Sequence, residues 1–330
     1  MTSVNDSLAM GVDLGATKVE AAWVDHDGRI VGASRRPTGP ERGPEGILAD
    51  LITCLTEDCL PQTDRLVVGV GIGVAGQVDP ATGVVWHAPN LGWENFPLRA
   101  RLEDALRLPV SVVNDVQAAT YGEWVHGAGR DVKDLVCLFV GTGIGGGVVS
   151  KGQLLRGCSG SAGELGHITI ERHGPPCSCR NRGCLEAFAA GWAIARRAQD
   201  AVAADPRAGE TLVRLAGGDS ARLTAGTVAE AAHQGDPLAS QLVRETGEAL
   251  GVGLASIANA FNPCLVILGG GVIEGLPELF DIAEQETRSR ALDAALRPLG
   301  IVRPELGKHA GTIGAAAWAR HNLEHTKGED

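Results

Sequence analysis

Short apolar runs punctuated by glycine and aspartate alternate along this chain with stretches whose apolar positions recur every three or four residues. The first pattern predicts buried strands, the second amphipathic helices. Ala9 to Ala16 (AMGVDLGA) reads as a strand ending in Asp13 and Gly15, and Val19 to Asp25 as a second strand. Asp27-Gly28 is a hairpin signal, so Ile30 to Ser34 follows as a third. After a loop rich in Pro and Gly (37–44), Ile47, Leu48, Leu51, Ile52 and Leu55 mark one face of a helix from about Glu45 to Leu60. Leu66 to Val74 is a nearly continuous apolar strand that stops at Ala75-Gly76. Pro97 opens a helix reaching Leu108, proline being well placed at a first helical position. Val110 to Val113 is a strand that stops at Asn114-Asp115, and Val116 to Val125 is a helix.

The pattern then begins again. Leu135 to Val140 is a strand ending in Gly141-Thr142-Gly143, and Gly147 to Ser150 is the next. Ala187 to Leu215 and Thr227 to Phe261 are Ala-rich and helical; Cys264 to Leu268 is a buried strand followed by Gly269-Gly270-Gly271. Leu276 to Leu296 is helical and Arg297-Pro298 ends it. Ile301 to Arg303 is a short strand, Gly311 to Arg320 a last helix of small residues, and the tail HNLEHTKGED is expected to fray. Elements in this order predict an α/β layer structure. DLGATK and VGTGIGGG each follow one apolar strand and precede another, which suggests a duplicated domain with a cleft between the copies.

Composition narrows the class. A chain of 330 residues that is 44% hydrophobic and 21% charged supports one large or two ordinary domains with a sizeable core. Lys+Arg 29 against Asp+Glu 40 gives a net charge of -11, which argues against a nucleic-acid partner. No apolar run approaches a membrane span, and the opening MTSVNDSL is too short and polar for a signal peptide. A cytoplasmic protein is therefore expected. Cys54, Cys59, Cys137, Cys158 and Cys264 sit among apolar neighbours and read as buried thiols.

The remaining three cysteines carry chemistry. Gly163 to Glu186, GELGHITIERHGPPCSCRNRGCLE, holds His167, Cys177, Cys179 and Cys184, the ligand set of a closed tetrahedral zinc site. A disulfide is the alternative, although nothing in the chain points to an oxidising compartment. Glu164 and Glu186 flank the ligands, so closing the loop on a metal brings two carboxylates near each other. Such a pair suits the vicinal hydroxyls of a polyol, because each oxygen accepts hydrogen bonds.

The glycine turns point to phosphate. Asp13–Lys18, Gly141–Gly147 and Gly269–Gly271 each follow a strand, and consecutive backbone N–H groups in such turns bind phosphate oxygens. GxxxxGK[ST] is absent and GTGIGGG runs into a strand rather than a helix, which removes the P-loop and Rossmann readings. Asp13 at a strand tip could help hold Mg²⁺ through water, or simply form the turn. Asp115 stands at the carboxyl end of a strand, where open α/β sheets collect ligands. There it could take a proton from an attacking hydroxyl. Helix capping by Asn114 or Asp115 is the plainer role.

Taken together these residues resemble the ROK family (repressor, open reading frame, kinase) of sugar kinases, most closely its bacterial glucokinase-like members. The likeness covers nearly the whole chain: DLGATK, GVGIGVAGQVD, the NDV at 114–116, GTGIGGGVV, GELGH, CSCRNRGCLE and the C-terminal GGGV. It implies an actin-like (ribonuclease H-like) two-domain ATPase fold with ATP in the interdomain cleft and a zinc-binding loop at 167–184. The expected division is an N-terminal domain, 1–115, completed by a helix at about 311–325, and a C-terminal domain, 116–310. The resemblance further implies that Asp115 is the base acting on the sugar's 6-hydroxyl. Asn114, Glu164, His167 and Glu186, with Asn90, would hold the sugar. Thr17, Lys18, Thr142 and Gly143 match the family's phosphate loops, beside Gly15, Gly141, Gly269 and Gly270 of the glycine turns. His167 would serve twice, one ring nitrogen on a structural zinc and the other toward a sugar hydroxyl. One departure stands out: family members usually have Gly after the second cysteine, and here it is Arg180.

The expected activity is ATP- and Mg²⁺-dependent formation of a hexose 6-phosphate, with glucose the first acceptor. N-acetylglucosamine, N-acetylmannosamine, mannose, fructose and an amino sugar are alternatives the pattern does not separate. Polyphosphate is a lesser alternative as donor. A non-catalytic sugar sensor would keep the sugar site and lose the phosphate loops or the base, which are all present. The family's repressors carry a winged helix-turn-helix ahead of the kinase-like part, and the first phosphate strand begins here by about residue 9. The family also suggests a homodimer or homotetramer.

Overall fold

A computed structural model describes residues 7–60 and 63–326. Three strands open the chain: β1 (Leu8–Leu14), β2 (Lys18–Val24) and β3 (Ile30–Pro37), paired antiparallel in sequence order. Helix α1 (Gly43–Thr53) follows, and its last turn widens into a π-helical segment, Cys54–Cys59. The single helix expected from Glu45 to Leu60 is thus two kinds of helix. The apolar spacing of Ile47, Leu48, Leu51 and Leu55 is the same through both, and hides the change. β4 (Val67–Val74) pairs parallel with β1. A small antiparallel sheet of β5 (Gln77–Val78), β6 (Val85–Ala88) and β7 (Trp93–Phe96) comes next. Nothing in the apolar pattern announces it, because strands of two to four residues are too short to show a period. Then follow α2 (Leu98–Leu106), β8 (Val110–Asn114) and α3 (Asp115–His126).

The second half runs β9 (Leu135–Val140), β10 (Ile144–Ser150), β11 (Gln153–Leu154), α4 (Glu186–Ala189), α5 (Gly191–Ala204), α6 (Glu210–Leu215), α7 (Ala225–His233), α8 (Pro237–Phe261), β12 (Leu265–Gly269), α9 (Gly271–Gly275), α10 (Glu278–Arg290), α11 (Asp293–Leu296), β13 (Gly300–Val302) and α12 (Ala310–Thr326). The Ala-rich stretches are therefore broken where capping residues stand: Thr224 closes a capping box on α7, and Asp236 caps α8 ahead of Pro237. The tail expected to fray is helical as far as Thr326, and its last four residues lie outside the described ones, as does all of MTSVND. Cys54, Cys59 and Cys137 are buried as expected, whereas Cys158 and Cys264 are exposed.

The two large sheets have the same plan. One has the order β3-β2-β1-β4-β8 and the other β11-β10-β9-β12-β13. β1–β4 and β4–β8 are parallel in the first, β9–β12 and β12–β13 in the second. By contacts the chain divides into one unit of Met1–Lys133, Gly147–Gly163 and Pro304–Asp330 and another of Asp134–Gly146 and Glu164–Arg303. A boundary drawn at 115/116 from the sequence differs from this division. α3 packs along α12 and so stays with the first unit. Glycines allow that packing: a Cβ on Gly122 would stand 2.6 Å from the Ala310 carbonyl oxygen, and one on Gly314 1.8 Å from that of Ala118. Within the second unit α8 lies against α10 in the same manner, through Gly247 and Gly251.

Candidate functional site

In the first unit, β1 and β2 are joined by the tight turn that sequence reasoning marks for phosphate. The Gly15 N–H donates to the Lys18 carbonyl at 3.0 Å, and the Thr38 hydroxyl donates to the Gly15 carbonyl at 2.6 Å. Thr17 is exposed at the tip and Lys18 half-buried behind it. Asp13 is paired across the hairpin with Glu20. Burial raises the Asp13 pKa above the ordinary carboxylate value; Lys18 opposes the shift and Glu20 adds to it. A carboxyl group in this condition gains from a cation near it.

Asn114 and Asp115 lie where β8 turns into α3. Asn114 is the cap: its Oδ1 accepts from the N–H groups of Val116 and Gln117 at 3.0 and 3.1 Å, and its Nδ2 donates to the Gly76 carbonyl. The plainer role is therefore taken by Asn114, and Asp115 is left in the first helical turn, with Oδ1 accepting from the Val116 N–H at 2.9 Å. Two residues on, buried Gln117 donates to the carbonyls of Gly160 and Ala162 and so fixes the loop that leads into Glu164. Asn90 stands exposed in the single 3₁₀ turn Pro89–Leu91, ended by Gly92 at φ +64°.

In the second unit, Glu164 precedes the 3₁₀ turn Leu165–His167, and the His167 N–H donates to its carbonyl. Residues three apart eclipse in such a turn, so the exposed Glu164 and half-buried His167 share a side. Gly166 between them is required by packing: a Cβ there would lie 2.2 Å from the Ile144 carbonyl oxygen.

His167, Cys177, Cys179 and Cys184 come together with all ligand atoms within 4.8 Å of one another. Cys177 Sγ is 3.7 Å from His167 Nδ1, and Cys179 Sγ is 3.6 Å from Cys184 Sγ. Metal–sulfur bonds of about 2.3 Å and metal–nitrogen bonds of about 2.0 Å put tetrahedral ligand atoms roughly 3.5–3.8 Å apart, so this donor set fits zinc. A disulfide needs about 2.05 Å, and no disulfide links the described cysteines. Without a cation the cluster is electrostatically awkward. Burial, then the neighbouring thiols, push Cys184 up to about 12. A metal would relieve this by holding the thiolates and releasing their protons. Contact through Nδ1 leaves the Nε2 of His167 for another partner.

The turn that carries two of these cysteines bends at Arg180, with φ +74°. This is the left-handed conformation that a glycine takes without strain.

Glu186 begins α4 and is buried, 8% exposed. Its Oε2 accepts from the Ile144 N–H at 2.9 Å, and its Oε1 from the Ser178 hydroxyl at 3.2 Å. Ser178 lies between Cys177 and Cys179, and Ile144 ends the loop Gly141–Gly143. One carboxylate thus ties the cysteine knuckle to the second glycine loop, a link the sequence does not reveal. That loop closes on itself through the Gly141 N–H and the Gly143 carbonyl. It also borders a cavity of about 430 Å³ with Gly191, Trp192, Thr224 and Gly271. Of the glycine positions singled out in the sequence, Gly141 and Thr142 line this cavity; Gly269 ends β12, and Gly270, at φ +98°, packs on the Val140 backbone just before α9. Trp192 and Thr224 were not foreseen. Trp192 sits in an Ala-rich stretch whose pattern signals only helix, and Thr224 lies in the segment between two such stretches.

Residues 9–322 match the ROK family. The chain belongs to the ROK family. It is 36% identical over 314 residues to a glucokinase of Streptomyces coelicolor, covering 95% of this chain and 98% of that one. The crystal structure of a ROK family glucokinase from Streptomyces griseus, in complex with glucose and AMPPNP, is 37% identical with a TM-score of 0.81, covering 95% of this chain and 99% of that chain. A xylose repressor of Bacillus subtilis is 30% identical over 312 residues, 94% of this chain and 76% of the repressor. The fold is the ROK one, of the actin-like (ribonuclease H-like) α/β class. Among the described residues no helix is long and apolar enough to cross a membrane.

Proposed function

We propose that this ROK protein is an ATP-dependent hexose kinase and that glucose is its acceptor, phosphorylated at the 6-hydroxyl. The observation that carries the reading is the complete metal knuckle, with Glu186 bridging it to the Gly141–Ile144 loop, in a chain 36% identical to a glucokinase along nearly its whole length. The structural relative bound to glucose and AMPPNP supports both substrates.

In this reading Asp115 is the base. The 6-hydroxyl oxygen forms a bond to the γ-phosphorus of ATP, the bond from that phosphorus to the β–γ bridging oxygen breaks, and the hydroxyl proton passes to Asp115. ADP leaves with the bridging oxygen. The transition state is loose, so positioning and charge neutralisation matter more than a strong base. Asn114 and Asn90 in the first unit, and Glu164, His167 and Glu186 in the second, are assigned to sugar hydroxyls. Zn²⁺ held by His167, Cys177, Cys179 and Cys184 would fix the loop that carries them and leave no open position for chemistry. Mg²⁺ would neutralise the phosphates, with Asp13 holding it through water. Thr17 and Lys18 beside Gly15, and Thr142 with Gly141 and Gly143, supply donors to phosphate oxygens, while Trp192 gives the cavity in the second unit an aromatic wall for a base.

The test is a panel of kcat/KM values with Mg-ATP over glucose, mannose, fructose, N-acetylglucosamine, N-acetylmannosamine and glucosamine, with the product's phosphate located by phosphorus NMR. Highest efficiency with glucose and a 6-phosphate product is the expected result. Preference for another sugar by tenfold or more, about 1.4 kcal/mol of transition-state binding, replaces the acceptor and keeps the chemistry. The likeness to a xylose repressor favours a second reading, a sugar-responsive regulator. Sugar binding with no ADP release from any acceptor would establish it instead.

A further inference from the structure

A second cavity, also of about 430 Å³, lies in the first unit against β8, the edge strand of its sheet. None of the residues assigned above to sugar, nucleotide or metal lines it. Its volume is in the range of small-molecule sites, roughly 300–1,000 Å³. Arg99 and Glu103 of α2, Ser111 of β8, Trp318 and Asn322 of α12, and Arg156 from the loop after β11 give it a polar interior.

Arg156 is the unusual group. Its guanidinium stacks over the Trp318 ring at 5.3 Å, and Nη1 donates to the Pro80 carbonyl at 3.4 Å. Its Nε is buried without a hydrogen-bond partner. The other charges near it are engaged elsewhere. Arg99 is paired with Glu103 at 3.2 Å, and the same Glu103 oxygen accepts from the Val110 N–H. Asp79 is the carboxylate whose charge Arg156 feels, but its Oδ1 accepts from the N–H groups of Ala81 and Thr82 in its own loop. Among the described residues Arg156 has no ion pair. A guanidinium does not shed its proton in a protein, and this half-buried one has the Trp318 face, one carbonyl and the charge of Asp79, but no ion pair, to offset its desolvation. Desolvation accordingly lowers its pKa from the ordinary value.

With Nη1 committed to Pro80, the edge formed by Nε and Nη2 remains. That edge offers two parallel donors, the geometry that grips two oxygens of one oxyanion. Asn322 donates its Nδ2 to Ser111 Oγ at 3.0 Å, which orients that hydroxyl to donate in turn. We propose that this cavity is a binding site for a small phosphate-bearing anion, with Arg156 as its charge partner. Inorganic phosphate and a phosphorylated sugar share this chemistry. The inference does not depend on the kinase reading.

Calorimetric titration of the full chain with sodium phosphate and with glucose 6-phosphate, at fixed ionic strength, tests it. Wild type binds at least one of the two saturably, Arg156→Gln weakens that binding tenfold or more, and Lys18→Gln at the phosphate turn leaves this site unchanged. Tighter binding of glucose 6-phosphate assigns the site to a phosphorylated sugar, and tighter or equal binding of phosphate to the free anion. Because Arg156 packs on Trp318 and its replacement could impair folding, phenylglyoxal footprinting of the wild-type protein gives a second readout. The bound anion slows modification at Arg156 and not at the exposed Arg29. No saturable binding at millimolar concentrations, Arg156→Gln binding as wild type, or equal modification of Arg156 with and without ligand would each overturn the proposal.

Discussion

Arg180 shows how one side chain can set the stability of a site it does not ligate. The family resemblance marks its position as one where glycine is usual, and the backbone there is at φ +74°. An L-residue with a Cβ pays about 1 kcal/mol in that conformation. Arg180→Gly is therefore expected to raise the melting temperature by a few degrees and to slow zinc loss to a chelator, without changing the ligands. A lower melting temperature in the variant would show that the arginine makes a compensating contact. Asp13 carries strain of another kind. Burial holds its pKa above the ordinary value, so its ionisation costs stability once the pH rises through the folded-state pKa. Below the unfolded pKa, about 3.9, no such cost remains. Asp13→Asn should thus melt higher than wild type at pH 7.5, and the gap should close as the pH falls toward 4. Differential scanning calorimetry at a series of pH values checks this; a gap that widens on acidification would contradict it. The candidate residues for chemistry stand out in the sequence because they cluster at few positions with distinctive types. Glu186 is the partial exception. Its type and place are visible at residue scale, but its bond to the Ile144 N–H is made across 42 positions of sequence by the fold.

At the scale of elements, that bond joins two features that look independent in the sequence, the cysteine knuckle and a glycine loop. Glu186→Ala would remove the acceptor of the Ile144 N–H, at a cost of about 1–3 kcal/mol for an unmet buried donor. Both chelator resistance of the metal and affinity for a non-hydrolysable ATP analogue should fall together, measured by competition with a zinc dye and by calorimetry. Loss of one without the other would mean that the link carries no coupling. Glycines do the corresponding work under α12. A Cβ on Gly71 of β4 would lie 1.8 Å from the Ala315 carbonyl oxygen, backbone against backbone with nothing flexible to yield. Gly71→Ala is expected to cost about 3 kcal/mol or more in urea unfolding, at the upper end for overpacking, while Gly275→Ala, with open space around it, stays near neutral. Strand and helix positions were readable wherever an apolar period ran for five residues or more. The sheet of β5, β6 and β7 was not, and neither was the π-helical turn after α1. Short strands have no period to read, and a π turn keeps the apolar face of the helix it extends.

On the whole-molecule scale, the repeat of DLGATK in VGTGIGGG has a counterpart in two five-stranded sheets of the same strand order. Sequence alone leaves that duplication faint, because only strand-and-loop rhythm survives between the halves. The boundary between units was harder to place still, since segments 147–163 and 304–326 rejoin the first unit through tertiary packing that local pattern does not encode. Membership of the ROK family and the α/β fold stand on the match over residues 9–322 and on the likeness to solved ROK structures. The proposed chemistry stands on Asp115. The most direct test is ADP release by Asp115→Asn with Mg-ATP and glucose, taken beside its affinity for glucose. The account predicts a loss of turnover of ~10²–10⁴-fold, the usual contribution of a positioned base, with glucose affinity close to that of wild type. Turnover near the wild-type rate would contradict it.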